Sequence, residues 1–114
     1  MMAMIFEVWP KAEHRQDYLE RAAKLRPLVE RIDGFQSIER FESLYEPGKL
    51  LSLGFFTDEQ ALAAWRGNSE HRIAQELGRQ RYFLDYRLRI AEVVRDYGLR
   101  ERGEAPADSR QRHG

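Results

Sequence analysis

The spacing of apolar side chains changes along the chain and first predicts a strand and a helix. Residues 4–9 (MIFEVW) are rich in β-branched and aromatic side chains, and Pro10 ends the run because it cannot donate a backbone hydrogen bond. Apolar side chains then recur at helical spacing at Tyr18, Ala22, Leu25, Val29 and Ile32. We expect this helix to begin with Asp17 as its N-cap, to kink at Pro27 and to stop near Gly34.

After this helix the period shortens to two, which predicts further strands. Apolar and polar residues alternate over 35–41, turn-forming residues follow at 46–49, and the run 50–56 is again apolar. This order is typical of a hairpin of two strands. A second alternating stretch over 86–96 predicts the last strand of the chain.

Between the hairpin and the last strand the pattern predicts two helical segments. Asp58 is an N-cap candidate, and it precedes a short amphipathic stretch that Gly67 and Asn68 interrupt. Ser69 is the candidate N-cap of the next segment, which continues to about Tyr82.

The order strand, helix, strand, strand, helix, strand is that of a ferredoxin-like split βαβ sandwich (βαββαβ). This is an α+β fold with a four-stranded antiparallel sheet and helices on one face. A sheet with one face in water should alternate strictly, yet residues 5–9 and 50–56 carry large apolar side chains on both faces. We therefore expect a homodimer that packs through its sheet faces, with a pocket between the sheet and the helices of each subunit.

Composition then narrows the class of function. The 114 residues hold 19 Lys and Arg, 19 Asp and Glu, three His and no Cys. The lack of cysteine excludes disulfides and thiol nucleophiles, the scattered histidines argue against a metal site, and the balanced charge argues against a nucleic-acid partner. Without a basic leader or a long apolar run, we expect a cytoplasmic protein with no membrane partner.

The C-terminal end differs from the rest of the chain. Residues 103–114 contain no large apolar side chain, so ordering them would cost conformational entropy without compensating burial. The sequence therefore predicts one domain over residues 1–98 and a polar, flexible tail over residues 99–114.

Two segments resemble a known family. Residues 65–79 (WRGNSEHRIAQELGR), followed by 86–95 (YRLRIAEVVR), resemble the antibiotic biosynthesis monooxygenase domain, and the Gly34-Phe35 step after the first helix agrees. The resemblance covers most of residues 4–98 and implies a dimeric α+β barrel. The family includes cofactor-independent oxygenases that convert aromatic phenols to quinones, and also haem-degrading enzymes.

The resemblance also implies site residues. It assigns a role to Trp65, whereas His71, six residues later, stands where the quinone-forming members have a tyrosine. The haem-degrading members need an asparagine on the first strand and a histidine about ten residues after the tryptophan. At those places this chain has Phe6, Glu7, Val8, Ala74 and Gln75. We therefore expect no haem, and no other cofactor.

His71 is the natural candidate for a general base, because the ordinary pKa of imidazole, about 6.5, lies near physiological pH. The alternative is a solvated or capping residue near a helix start. Trp65 is interpreted either as the wall of a pocket for an aromatic ligand or as ordinary core.

Three further residues are candidate donors to a substrate oxygen, although each also fits a structural role: Asn68, Tyr82 and Tyr86. Arg87 is a candidate substrate-binding residue because the last strand is expected to lie beside the first strand, where Glu7 is found. A Glu7–Arg87 or Glu7–Arg89 pair is either a ligand clamp or a structural ion pair at the dimer interface.

Taken as a whole, the sequence favours a cofactor-independent monooxygenase acting on a small aromatic or enolisable molecule. The alternative is a non-catalytic homodimer that binds a small hydrophobic molecule or serves a stress-related role. The two hypotheses differ in one structural feature, which is whether an ionisable side chain reaches the cavity between sheet and helices.

Overall fold

The structure, a computed structural model that describes residues 1–114, confirms the α+β ferredoxin-like fold. Its four strands form one antiparallel sheet in the order β2-β3-β1-β4. The strands are Met2–Pro10 (β1), Phe35–Glu42 (β2), Leu50–Phe56 (β3) and Phe83–Glu92 (β4). The helices are Arg15–Val29 (α1), Glu59–Arg66 (α2), Ser69–Leu77 (α3) and Ala107–His113 (α4). A 3₁₀ turn at Ala12–His14 precedes α1, and a π-helical turn at Gly78–Tyr82 joins α3 to β4.

The register of the sheet decides which side chains face the helices. On the interior strand β1, Phe6 lies opposite Ser52 of β3 and Leu88 of β4. Residues two apart share a face, so Met4 and Val8 lie with Phe6 on the helix-covered side, which we call the helix face. The intervening side chains of β1 and β3 lie on the other side, which we call the second face: Ile5, Glu7, Trp9, Leu51, Leu53 and Phe55.

The buried side chains of the core form two separate clusters. The α2 cluster is centred on that helix and contains Val29, Phe56, Ala61, Leu62 and Trp65. The Tyr18 cluster contains Val8, Tyr18 and Leu50, with Phe6 and Phe83 packed against it. No residue belongs to both clusters, and the helix face of the sheet connects them.

The helix boundaries correct two predicted caps. Helix α1 begins at Arg15, after the 3₁₀ turn, so Asp17 lies in its first turn and is not its N-cap. At α3, Asn68 and not Ser69 is the N-cap, because the Asn68 side chain accepts a hydrogen bond from the His71 amide at 3.0 Å. A side-chain amide oxygen satisfies a free N–H of the first turn as well as a hydroxyl does.

Of two other boundary predictions, the start of α2 is confirmed and the end of α1 is corrected. Asp58 is the N-cap of α2, with its carboxylate 2.9 Å from the Ala61 amide nitrogen. Helix α1 ends at Val29 with Glu30 as its C-cap, five residues before the predicted stop at Gly34. Gly34 lies in the turn that leads to β2, with φ of +91°, a backbone conformation that side chains with a Cβ rarely adopt. A Cβ at Gly34 would also lie 2.4 Å from the Thr57 hydroxyl oxygen, so the position is closed to larger residues.

The C-terminal segment is more ordered than the sequence predicts. Residues 107–113 form α4, and the last strand ends at Glu92, four residues earlier than expected. Arg102 donates hydrogen bonds to the Gly98 carbonyl at 3.1 Å and to Ser109. Hydrogen bonds from arginine side chains to backbone carbonyls stabilise this segment. Such bonds leave no apolar periodicity in the sequence. No helix in residues 1–114 is both long and apolar enough to cross a membrane.

The π-helical turn generates the first testable prediction. A Cβ added to Gly78 would lie 2.3 Å from the ring of Phe83, which is itself packed edge-on against Tyr18 at 5.3 Å. Gly78→Ala should therefore displace that ring and lower the free energy of unfolding by about 1–3 kcal/mol. Gly98→Ala is the matched control, since nothing lies within 4 Å of a Cβ there. Urea unfolding of both variants checks this, and equal stability of the two would contradict the close packing.

Candidate functional site

A cavity of about 750 Å³ lies between the helix face of the sheet and helices α1 to α3. Most of its lining is apolar, and the lining includes members of both core clusters, Trp65 from one and Tyr18 from the other. On the β4 side, Leu88 and Ile90 line the cavity and are each 45% exposed. The cavity is therefore a cleft with one wall accessible to solvent, large enough for a small organic molecule.

The best-defined polar group in this cleft is His71, which stacks on Trp65. The two ring centroids are 4.2 Å apart and the planes are inclined by 18°. Trp65 is 4% exposed near the end of α2, and His71 lies in the first turn of α3. The break between the two helices, at Gly67 and Asn68, turns the chain so that one ring lies over the other.

A backbone contact fixes the protonation pattern of His71. Its Nδ1 lies 3.2 Å from the Trp65 carbonyl oxygen. A carbonyl oxygen can only accept, so this hydrogen bond requires a proton on Nδ1. In the neutral imidazole the lone pair is then on Nε2, which makes Nε2 the proton acceptor.

Burial also affects how readily His71 takes up a proton. Loss of solvation in the cleft lowers the pKa of His71 below its ordinary value of 6.5, and the bond to the Trp65 carbonyl opposes that effect only in part. The imidazole is therefore neutral at pH 7. A neutral imidazole with a free Nε2 beside an apolar cleft can act as a general base.

A second set of polar side chains lies beside the Tyr18 cluster, at positions that the sequence pattern did not predict as a site. The guanidinium carbon of Arg40 lies 5.5 Å from the centroid of the Tyr18 ring, and Ser52 pairs with Arg40 across β2 and β3. Tyr18 and Ser52 are buried, and all three residues line the cleft. The only sequence signal for this set is the position of Arg40 and Ser52. Both are polar residues at strand positions that face the helices.

Burial raises the pKa of the Tyr18 phenol, and the nearby Arg40 charge opposes that rise. Tyr18 therefore stays protonated at neutral pH and keeps a hydroxyl proton to donate.

The structure brings together three of the six predicted site residues. Trp65, His71 and Tyr82 all line the cleft. Asn68 lies outside the lining and caps α3. Tyr86 also lies outside the lining, with its ring 5.7 Å from that of Phe6.

Arg87, the sixth predicted residue, does not line the cleft. It lies opposite Glu7 in the strand register, but Glu7 pairs with Arg89 at 2.8 Å and with Lys49 at 2.9 Å. The hydrogen bond from Lys49 is the largest cause that lowers the pKa of the Glu7 carboxyl. This ion pair belongs to the second face of the sheet, on the opposite side from the cleft.

No three His, Asp or Glu side chains of residues 1–114 converge as a set of metal ligands. Among the polar side chains that line the cleft, two sets lie against buried aromatic rings. One is the imidazole of His71, and the other is the trio of Tyr18, Arg40 and Ser52.

Comparison with known protein families gives a match over most of the chain. The family model described as antibiotic biosynthesis monooxygenase matches residues 1–77. A fungal protein from Pyricularia oryzae, named jasmonate monooxygenase ABM, is 44% identical over 94 residues, which are 82% of this chain and 44% of the relative. The chain thus spans less than half the length of that relative. The uncharacterized protein YqjZ of Bacillus subtilis is 28% identical over 75% of this chain and 73% of its own length.

Solved structures support the same fold. A protein from Deinococcus radiodurans, described as a putative antibiotic biosynthesis monooxygenase, has a TM-score of 0.77 at 15% identity, covering 86% of this chain and 97% of its own. Rv0793 from Mycobacterium tuberculosis has a TM-score of 0.76 at 15% identity, covering 85% and 98%. At these identities the likeness concerns the fold alone.

The lowered pKa of His71 generates a prediction about stability. Between that pKa and 6.5 the unfolded chain binds more protons at this position than the folded chain, so the free energy of unfolding should fall as pH is lowered through this range. His71→Gln removes the titrating group and should lose less stability over the same range. Urea unfolding of both proteins from pH 8 to pH 5 checks this. Identical pH dependence of the two proteins would show that His71 titrates as it does in the unfolded chain.

Proposed function

Because the chain belongs to the antibiotic biosynthesis monooxygenase family, we propose that it is a cofactor-independent monooxygenase acting on a small aromatic or enolisable molecule. The proposed binding site is the cleft between the sheet and the helices. The observation that carries the proposal is the neutral imidazole of His71, held against Trp65 in an apolar cleft. Trp65 then serves as the wall on which a substrate ring packs.

The proposed first step is removal of a proton from the substrate by Nε2 of His71. The bond from Nδ1 to the Trp65 carbonyl holds the ring in the required tautomer and orientation. A simple phenol, with a pKa of about 10, would transfer its proton to this imidazole uphill by about 5 kcal/mol or more. The site is therefore better matched to more acidic substrates, such as phenols conjugated to a carbonyl group or enolisable diketones.

The proposed second step uses the substrate anion itself as the reductant of dioxygen. The anion forms a carbon–oxygen bond and a hydroperoxide, which then collapses to a carbonyl group and water. Overall the substrate loses two hydrogens, one as the proton taken by His71 and one from the carbon that binds oxygen. It gains one oxygen atom, and the other oxygen leaves as water with those two hydrogens. The protonated His71 can return its proton to the departing oxygen, so that no outside reductant is consumed.

This function predicts oxygen uptake that depends on His71. With a panel of carbonyl-conjugated phenols and enolisable diketones, we expect consumption of one O₂ per substrate, and incorporation of one ¹⁸O atom from ¹⁸O₂ into the product. Loss of the general base in His71→Gln should lower kcat/KM by about 10²-fold or more. His113→Gln, a histidine substitution in α4 and away from the cleft, is the matched control and should leave the rate unchanged. Binding without oxygen uptake would instead favour the non-catalytic, ligand-binding alternative.

We also propose that two copies pack through the second face of the sheet. Along the interior strands this face presents Ile5, Leu51, Leu53 and Phe55, all of them only partly buried within one chain. Burial of such a surface is favourable at roughly 25 cal/mol per Å² of apolar area. The charged pair of Glu7 and Arg89 lies on the same face, where it is available to an interface.

The dimer proposal predicts the effect of one charge on the second face. Leu53→Asp would bury an unpaired carboxylate in the interface, so sedimentation at micromolar concentration should give two chains per particle for the unaltered protein and one for this variant. Leu44→Asp makes the same change at a site that is 96% exposed in the loop between β2 and β3, and should leave the dimer intact. A monomeric unaltered protein would overturn the proposal.

A further inference from the structure

The charged side chains around the cleft are unequal in sign. Two glutamates, Glu39 and Glu59, line it. Against them stand four arginines: Arg21, Arg26, Arg40 and Arg66. An apolar cleft with surplus positive charge attracts organic anions more strongly than neutral molecules of the same shape.

These arginines differ in whether the protein itself supplies an ion-pair or hydrogen-bond partner for the guanidinium. Arg26 pairs with Glu30 at 3.4 Å and donates a hydrogen bond to the Ile38 carbonyl at 2.9 Å. The other three make no ion pair, and of these Arg40 is the one whose guanidinium lies over the buried Tyr18 ring. Glu42, two positions along the same strand and on the same face, is instead paired with Arg15 at 3.3 Å. The guanidinium of Arg40 is thus an uncompensated charge at the cleft.

We propose that Arg40, together with the hydroxyls of Ser52 and Tyr18, binds a carboxylate group of the substrate. This assignment rests on the proposed function and names the substrate class within it, namely a carboxylic acid on an apolar or aromatic skeleton. The carboxylate lies in the Tyr18 cluster, and the skeleton extends through the cleft toward Trp65 and His71.

The chemistry of the three residues fits a single negative charge. A guanidinium binds a carboxylate through two parallel N–H bonds, and two neutral hydroxyls supply further donors. Ser52 is 4% exposed and lies directly across the ladder from Arg40, so its hydroxyl is held at one place in the wall. A dianionic phosphate would call for more than one free cation or for backbone amides at a helix start, and none of the three residues supplies these.

The same arrangement separates recognition from proton transfer. Arg40 packs over Tyr18, which belongs to one core cluster, and His71 stacks on Trp65, which belongs to the other. An anion held at Arg40 therefore orients the substrate without being the group that reacts. If Arg40 instead stabilised the reacting anion, its loss would lower kcat and leave the affinity for an unreactive carboxylate unchanged.

The test uses a pair of unreactive probes with the same ring system, 2-naphthoate and 2-naphthamide, and measures binding by calorimetry. A charge-assisted bond adds enough affinity that the unaltered protein should bind the acid about tenfold or more tightly than the amide. Arg40→Gln should remove this preference and leave the affinity for the amide unchanged. Arg66→Gln, which removes one positive charge from another part of the lining, is the matched control and should keep most of the preference.

Each outcome either supports or overturns the proposed carboxylate site. Equal affinity for acid and amide in the unaltered protein, or equal losses in Arg40→Gln and Arg66→Gln, would overturn the carboxylate site. If Arg40→Gln also loses the amide, Arg40→Lys replaces it as the test, because it keeps the charge and must then keep the preference. His71→Gln should bind both probes with the preference intact, even if no substrate ever consumes oxygen. The binding site and the proposed reaction can therefore fail independently.

Discussion

The alternation of side chains along the two interior strands is the constraint on which the rest of the structure depends. Both β1 and β3 are hydrogen-bonded along both edges, so neither can shift without breaking two ladders. A slip of one residue would exchange Phe6 for Glu7 on the helix face. The register therefore assigns the cleft lining to one face and the ion pair of Glu7 to the other. Each helix then packs against a surface that the sheet has already determined.

After the strand register, the break between α2 and α3 has the largest effect on the geometry of the cleft. In a single continuous helix, residues 65 and 71 would be six positions apart and would lie on different faces. Because the chain breaks at Gly67 and restarts at the Asn68 cap, the imidazole returns over the indole and meets its carbonyl. One local feature thus provides the stacking, the tautomer and the partial burial of His71. The same break explains why Asn68, predicted as a donor to substrate, acts instead through the backbone of α3.

Periodicity and capping signals were enough to predict the fold, because strand order follows from the sequence of elements and each element has a strong apolar pattern. Trp65 and His71 came instead from the family resemblance and from the ordinary pKa of imidazole, because periodicity alone leaves a tryptophan as core and a histidine near a helix start as a solvated or capping residue. Periodicity failed for Arg40 and Ser52, since a polar residue on a strand is ordinarily a solvent-facing one. Only the register shows that these two positions face the helices. The α4 segment was missed for a related reason, because arginine bonds to carbonyls leave no periodic trace.

The exposed wall formed by Leu88 and Ile90 affects how long a ligand stays bound as well as how it enters the cleft. A ligand in a closed cavity leaves only when the protein opens, so its residence time is set by a conformational barrier. Beside a wall that is already in contact with water, departure is limited mainly by the contacts the ligand itself makes. Any short-lived species formed in such a cleft must decompose faster than it diffuses away. Tight binding of a part of the ligand far from the reacting atoms would then determine what fraction of that species is converted and what fraction escapes.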